Sequence, residues 1–354
     1  MILTVNWKRR ARQNRPARQV KTMMEKILVI GSNSFSGASF VSRALEGGAE
    51  VVGVSRSRQP SPVFLPYRWL PAKTQKGFKF HPIDINRDLP ALSRILRKFK
   101  PSYVVNFASQ SMVAESWQNP VHWMMTNVVS TVRLHELLRG CDFLKKYIHI
   151  STPEVYGSCT GLIPEETRYN PSTPYGVSRA AADMSLTTYF KHYGFPVVFT
   201  RAANVYGPGQ QLYRIIPRAI FFFLTGKKLK LHGGGRSVRS FIHIRDVSEG
   251  TWKAMLQASP GEIFHFSTDQ NLAVREVVEK IAQKTGVRFD ACVESVGERP
   301  GKDAAYLLDN AKARKLLNWN PKISLDEGLD ETISWVKNNL KTLGRQSPDY
   351  IHKP

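Results

Sequence analysis

KILVIG (Lys26–Gly31) is an apolar run that ends in a glycine-punctuated polar turn, the pattern of a strand buried on both faces. Helical spacing of apolar residues follows from Phe35 to Gly47, and a second short apolar run covers Glu50–Val54. FKFHPIDI (Phe78–Ile85), YVVNFA (Tyr103–Ala108), YIHIST (Tyr147–Thr152) and PVVFTRAA (Pro196–Ala203) read as four further strands. Helical stretches at Leu89–Phe99, Pro120–Arg139 and Tyr175–Tyr193 separate most of them. Strand alternating with helix predicts an α/β fold, a Rossmann-type doubly wound parallel sheet. The stretch Val205–Gly235 is less regular, and FIHIRDV (Phe241–Val247) is expected to return to the first sheet. Helices at Val274–Lys284 and Leu325–Leu343 predict a smaller C-terminal α/β region. The expected division is a Rossmann domain over 24–204, rejoined by 236–258, a second region from 205–235 and 259–343, and a tail at 344–354.

The totals add little until charge is counted. With 354 residues, 42% hydrophobic and 22% charged, the chain matches an ordinary globular protein. No apolar run reaches the roughly 18 residues of a membrane span. Cys141, Cys159 and Cys292 form no CxxC pair, which points away from a zinc site or disulfide framework and toward a reducing, cytoplasmic compartment. The net charge is +23. Residues 1–22 carry seven Lys or Arg and no acid, leaving +16 on the rest. That field favours anionic partners: phosphorylated small molecules, nucleic acid or acidic lipid. No nucleic-acid motif interleaves the charge with aromatics, so no specific nucleic acid is expected. The basic stretch 1–23 lacks apolar periodicity and reads as a disordered tail, or as residues ahead of a true start at Met23 or Met24.

GSNSFSG (Gly31–Gly37) joins the first strand to the first helix. Such a turn needs glycines because its backbone must approach a pyrophosphate whose charge meets the helix N-terminus. Gly31, Ser34, Phe35 and Gly37 are therefore cofactor-binding candidates, with Ser34 where a GxxGxxG spacing has its middle glycine. The second strand ends in Ser55-Arg56-Ser57. An acid there would bind the ribose 2′-hydroxyl of NAD, whereas Arg56 suits the 2′-phosphate of NADP, so the cofactor is NAD or NADP. Asp84 and Ile85 follow the third strand, and NFASQS (Asn106–Ser111) follows the fourth. All four segments fall at carboxyl ends of strands, where doubly wound sheets bind ligands.

STPEVYGS (Ser151–Ser158) and PYGVSRAAADM (Pro174–Met184) carry a resemblance to the extended short-chain dehydrogenase/reductases, the NAD-dependent epimerase/dehydratase family. AANVYGPGQ (Ala202–Gln210), VRSFIHIRDV (Val238–Val247) and ERPGKDAAYLLD (Glu298–Asp309) extend it over about Lys26 to Leu340. Among the subfamilies the chain most resembles the dTDP-glucose 4,6-dehydratases. The resemblance implies that Asp84 and Ile85 hold the adenine side, and that Phe107, Ala108 and Ser109 line the nicotinamide side. Tyr175 and Arg179 stand in the family's YxxxK positions and, four residues apart, share one helix face. A tyrosine titrates near about 10, so a neutral-pH base needs roughly 4 kcal/mol of differential stabilisation from a nearby cation. Tyr175 would then take the sugar 4-hydroxyl proton as hydride leaves C4, with Thr152 bonded to the same oxygen. Glu154 would remove the acidified C5 proton as water leaves C6. Gln110, Asn204, Arg239 and Arg299 are implied as sugar-nucleotide contacts, the two arginines on the phosphates. The family is commonly homodimeric.

The sequence departs from that pattern at three places. Arg179 replaces lysine, Pro153 stands where the dTDP-glucose enzymes have an acid, and Met112 replaces a histidine. The expected activity is NAD(P)-dependent sugar-nucleotide 4,6-dehydration. A 4-epimerase or reductase of the same family, or a dinucleotide-binding protein without this catalysis, are the alternatives.

Overall fold

The computed structural model describes residues 24–159, 161–297 and 307–354. The basic N-terminal stretch and Arg299 lie outside the described residues.

Seven parallel strands form the main sheet. In chain order they are β1 (Lys26–Ile30), β2 (Glu50–Ser55), β3 (Phe78–Pro82), β4 (Tyr103–Asn106), β5 (Lys146–Ile150), β6 (Val197–Ala202) and β7 (Ile263–Phe266). In space the order is β7-β6-β5-β4-β1-β2-β3. The chain winds outward through β2 and β3, then crosses back to β4 on the other side of β1. The crevice between the ends of β1 and β4 is therefore a topological switch point. Strand β1 shows why both faces are covered. Ile27 and Val29 enter one core and Leu28 and Ile30 the other, as the two-residue period demands.

Helix α1 (Phe35–Glu46) lies on the first face through Phe40, Val41 and Ala44. On the opposite face lie α2 (Leu89–Phe99), α3 (Ser130–Arg139) and α4 (Pro174–Tyr193), through Leu92, Leu134 and Leu186 among others. A third core fills the C-terminal region between α5 (Ile215–Leu224), α7 (Val274–Thr285) and α8 (Leu325–Asn338). Helix α6 (Ile244–Gln257) packs against α1.

One sequence expectation is corrected. The run Phe241–Val247 does not rejoin the first sheet: its first three residues end a strand, Val238–His243, that pairs with Asn204–Tyr206 and Asn271–Ala273 in a separate three-stranded sheet, and its last four open a helix. What returns to the first layer is α6 behind it, and the seventh strand of the main sheet is Ile263–Phe266. Among the described residues, no helix is long and apolar enough to cross a membrane.

Candidate active site

A cleft of about 1500 Å³ runs along the carboxyl ends of β1–β6 and under the C-terminal region. That exceeds the roughly 300–1,000 Å³ usual for one small ligand, so two ligands fit side by side. Its cofactor end is built by the Gly31–Gly37 turn. Gly31 has φ +82°, and a Cβ on it would lie 2.6 Å from the Ala108 nitrogen. A Cβ on Gly37 would lie 2.2 Å from the Gly31 oxygen. Both positions therefore demand glycine, one for conformation and space, the other for space alone.

Ser34, in the middle glycine's place, is the N-cap of α1. Its hydroxyl donates to the Gly31 carbonyl (2.7 Å) and accepts from the Gly37 N–H (3.1 Å). The hydroxyl thus braces the turn, and Ser34 itself lines the cleft. The N–H groups of Phe35 and Ser36 come at the first two helical positions, before intrahelical bonding begins, and both residues line the cleft. They fit a pyrophosphate. Asn33 ties the turn to the end of β2 through Ser55 Oγ (3.0 Å) and the Ser57 carbonyl (3.0 Å). Arg56 is exposed beyond it; Asp84 and Ile85 line the cleft past β3.

Phe107, Ala108, Ser109 and Gln110 border the switch point after β4. Asn127 fastens this loop to the helix carrying the candidate base. Its side chain accepts from the Gln110 N–H (2.8 Å) and donates to the Gln110 carbonyl (3.0 Å) and Ser178 Oγ (2.9 Å). Ser178 in turn donates to the Tyr175 carbonyl (2.8 Å).

Three candidate catalytic residues meet at the centre. Thr152 caps the short turn Pro153–Val155, accepting from the Glu154 N–H at 3.3 Å. Thr152 and Glu154 both act on the Tyr175 phenol, the first lowering its pKa and the second raising it. Burial pushes the Tyr175 phenol above its ordinary value. Arg179 pulls it back, Glu154 adds to the rise, and Thr152 and Arg214 also lower it. Arg179 thus favours the phenolate, the direction expected from the sequence, while burial opposes it and is the larger cause.

Arg179 lines the cleft while its guanidinium is tied to β5. Its guanidinium donates to the Ile150 carbonyl at the end of β5 and meets His149 Nε2 at 3.2 Å. Beneath it lies a buried ionic group. Asp183 accepts from Ser151 Oγ (2.6 Å) and pairs with Arg201 (2.9 Å), both charges fully buried. Asn204 and Arg239 line the opposite wall, with Arg239 buried to 7% exposure. Arg214, 3.5 Å from Ser111 Oγ, joins the cleft without having been singled out in the sequence. In so basic a chain, a lone arginine outside a motif carries no signal.

The family model for GDP-mannose 4,6 dehydratase matches residues 28–332. The chain belongs to that family. It is thereby a member of the extended short-chain dehydrogenase/reductases, as the motifs had indicated. It is 32% identical over 322 residues to a dTDP-glucose 4,6-dehydratase of Streptomyces antibioticus, covering 88% of this chain and 92% of that one. A trifunctional protein of Arabidopsis thaliana that includes UDP-glucose 4,6-dehydratase is 31% identical over 292 residues; the chain spans 43% of its length. The crystal structure of a dTDP-glucose 4,6-dehydratase from Streptomyces venezuelae, with NAD bound, superposes with a TM-score of 0.82 at 29% identity, covering 90% of this chain and 98% of that one. A UDP-glucuronic acid 4-epimerase from Bacillus cereus, also with NAD, gives 0.79 at 28% identity over 88% and 99%.

Proposed function

We propose that this family member is an NAD(P)-dependent sugar-nucleotide 4,6-dehydratase. The observation that carries the reading is a carboxylate, Glu154, that lines the same cleft as Thr152 and Tyr175, a cleft large enough for two ligands. Epimerisation at C4 needs no base at C5, whereas elimination does. Relatives named as 4,6-dehydratases and neighbours solved with NAD support the same choice.

The turn at Gly31–Gly37, with the free helix start at Phe35 and Ser36, would hold the dinucleotide pyrophosphate. Bound there, the nicotinamide would accept hydride from C4 and return it at C6, so that the net reaction is loss of one water. Tyr175 takes the 4-hydroxyl proton while Thr152 holds the same oxygen. Glu154 then removes the C5 proton. Pro153 has no proton to give, so Glu154 passes its own to the departing C6 hydroxyl. Gln110, Asn204, Arg239 and Arg299 would hold the sugar nucleotide.

Two further statements belong to this reading. Val121, Met125 and Val129 are exposed at every fourth residue, beside exposed Val177 and Met184 on α4. A second copy of the chain would cover them, making the enzyme a homodimer. Its three free cysteines suit the reducing cytoplasm.

The test separates the two chemical steps. Sugar nucleotides are screened by mass spectrometry for loss of one water, and the active one is mixed with variants in a single turnover. Tyr175→Phe should abolish both cofactor reduction and water loss. Glu154→Gln should slow water loss by about 10²–10⁴-fold, the usual worth of general-base catalysis, while reduced cofactor accumulates. Unchanged water loss in Glu154→Gln would sink the dehydratase reading.

A further inference from the structure

The segment Ser347–Pro354 does not trail into solvent. It leaves α8 and the short helix Leu340–Leu343 on the C-terminal region and runs back across the ligand cleft. Arg218 on α5 anchors its start, donating to the Pro348 carbonyl (3.2 Å) and pairing with Asp349 (2.7 Å). Tyr350 stands edge-on to Tyr213, with ring centroids 5.3 Å apart. The His352 ring stacks on Trp123 and His122, at 5.2 and 5.1 Å, and its Nε2 lies 2.8 Å from His122 Nδ1. The Lys353 carbonyl accepts from Gln110 Nε2 (2.6 Å), and Lys353 Nζ reaches Ser57 Oγ (3.2 Å). Finally the Pro354 carbonyl accepts from Arg56 (2.7 Å).

Gln110 follows β4 and Arg56 follows β2, with β1 between them. The tail therefore spans the switch-point crevice, from the region beyond the sheet to the adenosine end of the cofactor site. Its bonds fall on Gln110, Ser57 and Arg56, so it engages Gln110, read above as a sugar-nucleotide contact, and Arg56 at the far end of the crevice. Among the described residues none of its hydrogen bonds lands on the Gly31–Gly37 turn or on Asp84, and the cleft beneath keeps about 1500 Å³. Lys353 brings one cation of the tail to Ser57, beside Arg56 at the end of β2.

We infer that residues Ser347–Pro354 are part of the cofactor site: they form its outer wall and hold the dinucleotide in. This rests on the dehydratase reading and deepens it. A reaction that returns its hydride to the product leaves the cofactor oxidised, and gains from never releasing it. A wall that slows release without touching the reacting atoms does that.

The test compares the full chain with one ending at Gly344 and with the variant His352→Ala, which keeps the tail but removes the stacked ring. Each is loaded with reduced dinucleotide, chased with excess oxidised dinucleotide, and followed by fluorescence. Loss of the three hydrogen bonds to Gln110, Ser57 and Arg56, together with the stacked ring and the Arg218 anchor, predicts release faster by about tenfold or more in the truncated chain. His352→Ala should move the rate the same way by less. Equal release rates would show that the tail merely packs on the surface. Tighter binding after truncation would make the tail a competitor for the site, and would equally overturn the inference. Because release is read without turnover, a chain that retains dinucleotide but removes no water counts against the dehydratase reading alone.

Discussion

Tyr175 concentrates the chemical problem of the site. It must give up a proton, yet burial favours its neutral form, and Glu154 adds a repulsive charge. Arg179, Thr152 and Arg214 oppose this. On the proposed mechanism the phenolate is the working form, so the rate of cofactor reduction should rise with pH as the phenol ionises, with no loss on the alkaline side from this group. Removing the first opposing cation lifts the phenol further. Arg179→Met should therefore displace that rising limb to higher pH, and Arg179→Lys, which keeps a charge, should return it part of the way. Single-turnover reduction measured across pH checks this; a limb that stays in place in Arg179→Met would show that Arg179 acts only as a structural brace. That Thr152, Glu154 and Tyr175 would line one cleft was legible in the sequence because their motifs are contiguous and specific. The direction of the Arg179 side chain was not, because it depends on His149 and the Ile150 carbonyl, which only the packing of α4 on β5 brings within reach. The bond from Ser34 to the Gly31 carbonyl was not legible for a related reason, since only the cap geometry decides which acceptor the hydroxyl meets.

Between elements, the ion pair of Asp183 on α4 and Arg201 on β6 locks the catalytic helix to the sheet. Both groups are fully buried, and Asp183 also holds Ser151 at the end of β5. Asp183→Ala would strand a buried guanidinium and should cost about 3–5 kcal/mol, seen as a lower denaturation midpoint with an unchanged slope. Removing both charges together, with Arg201→Met in the same chain, should cost less than the single change. Equal losses in the two variants would mean that lost packing, not the stranded charge, dominates. The elements themselves were mostly readable from period alone. β1 through β6 and the helices between them follow the apolar pattern closely. The error came at Phe241–Val247, whose alternation marks a strand but not its neighbours. Pairing is a tertiary fact, and there the chain pairs with Asn204–Tyr206 in a separate sheet. Ile263–Phe266, too short to stand out, completes the main sheet instead.

For the whole molecule, two surfaces remain to be accounted for: the basic field and the apolar stripe. The net charge of +23 suits an enzyme whose cofactor and substrate both carry phosphates, and its effect is on encounter more than on fold. The stripe is different in kind. Val121 is 70% exposed and Met184 57%, on adjacent helices that pack together against the sheet. Burying such a stripe against its own copy satisfies both at once, since a two-fold axis matches each patch with itself. The same helices carry His122 and Trp123, on which the tail's His352 stacks, and Tyr175 itself. Pairing two copies there would stiffen the supports of the site without adding a residue to it. The full chain should therefore sediment as a dimer at micromolar concentration. The double variant Val121→Glu with Met125→Glu places like charges on the patch and should sediment as a monomer that still binds dinucleotide, though with a lower denaturation midpoint. A native chain that is monomeric over the same range, or a double variant that remains dimeric, would place the contact elsewhere or remove it.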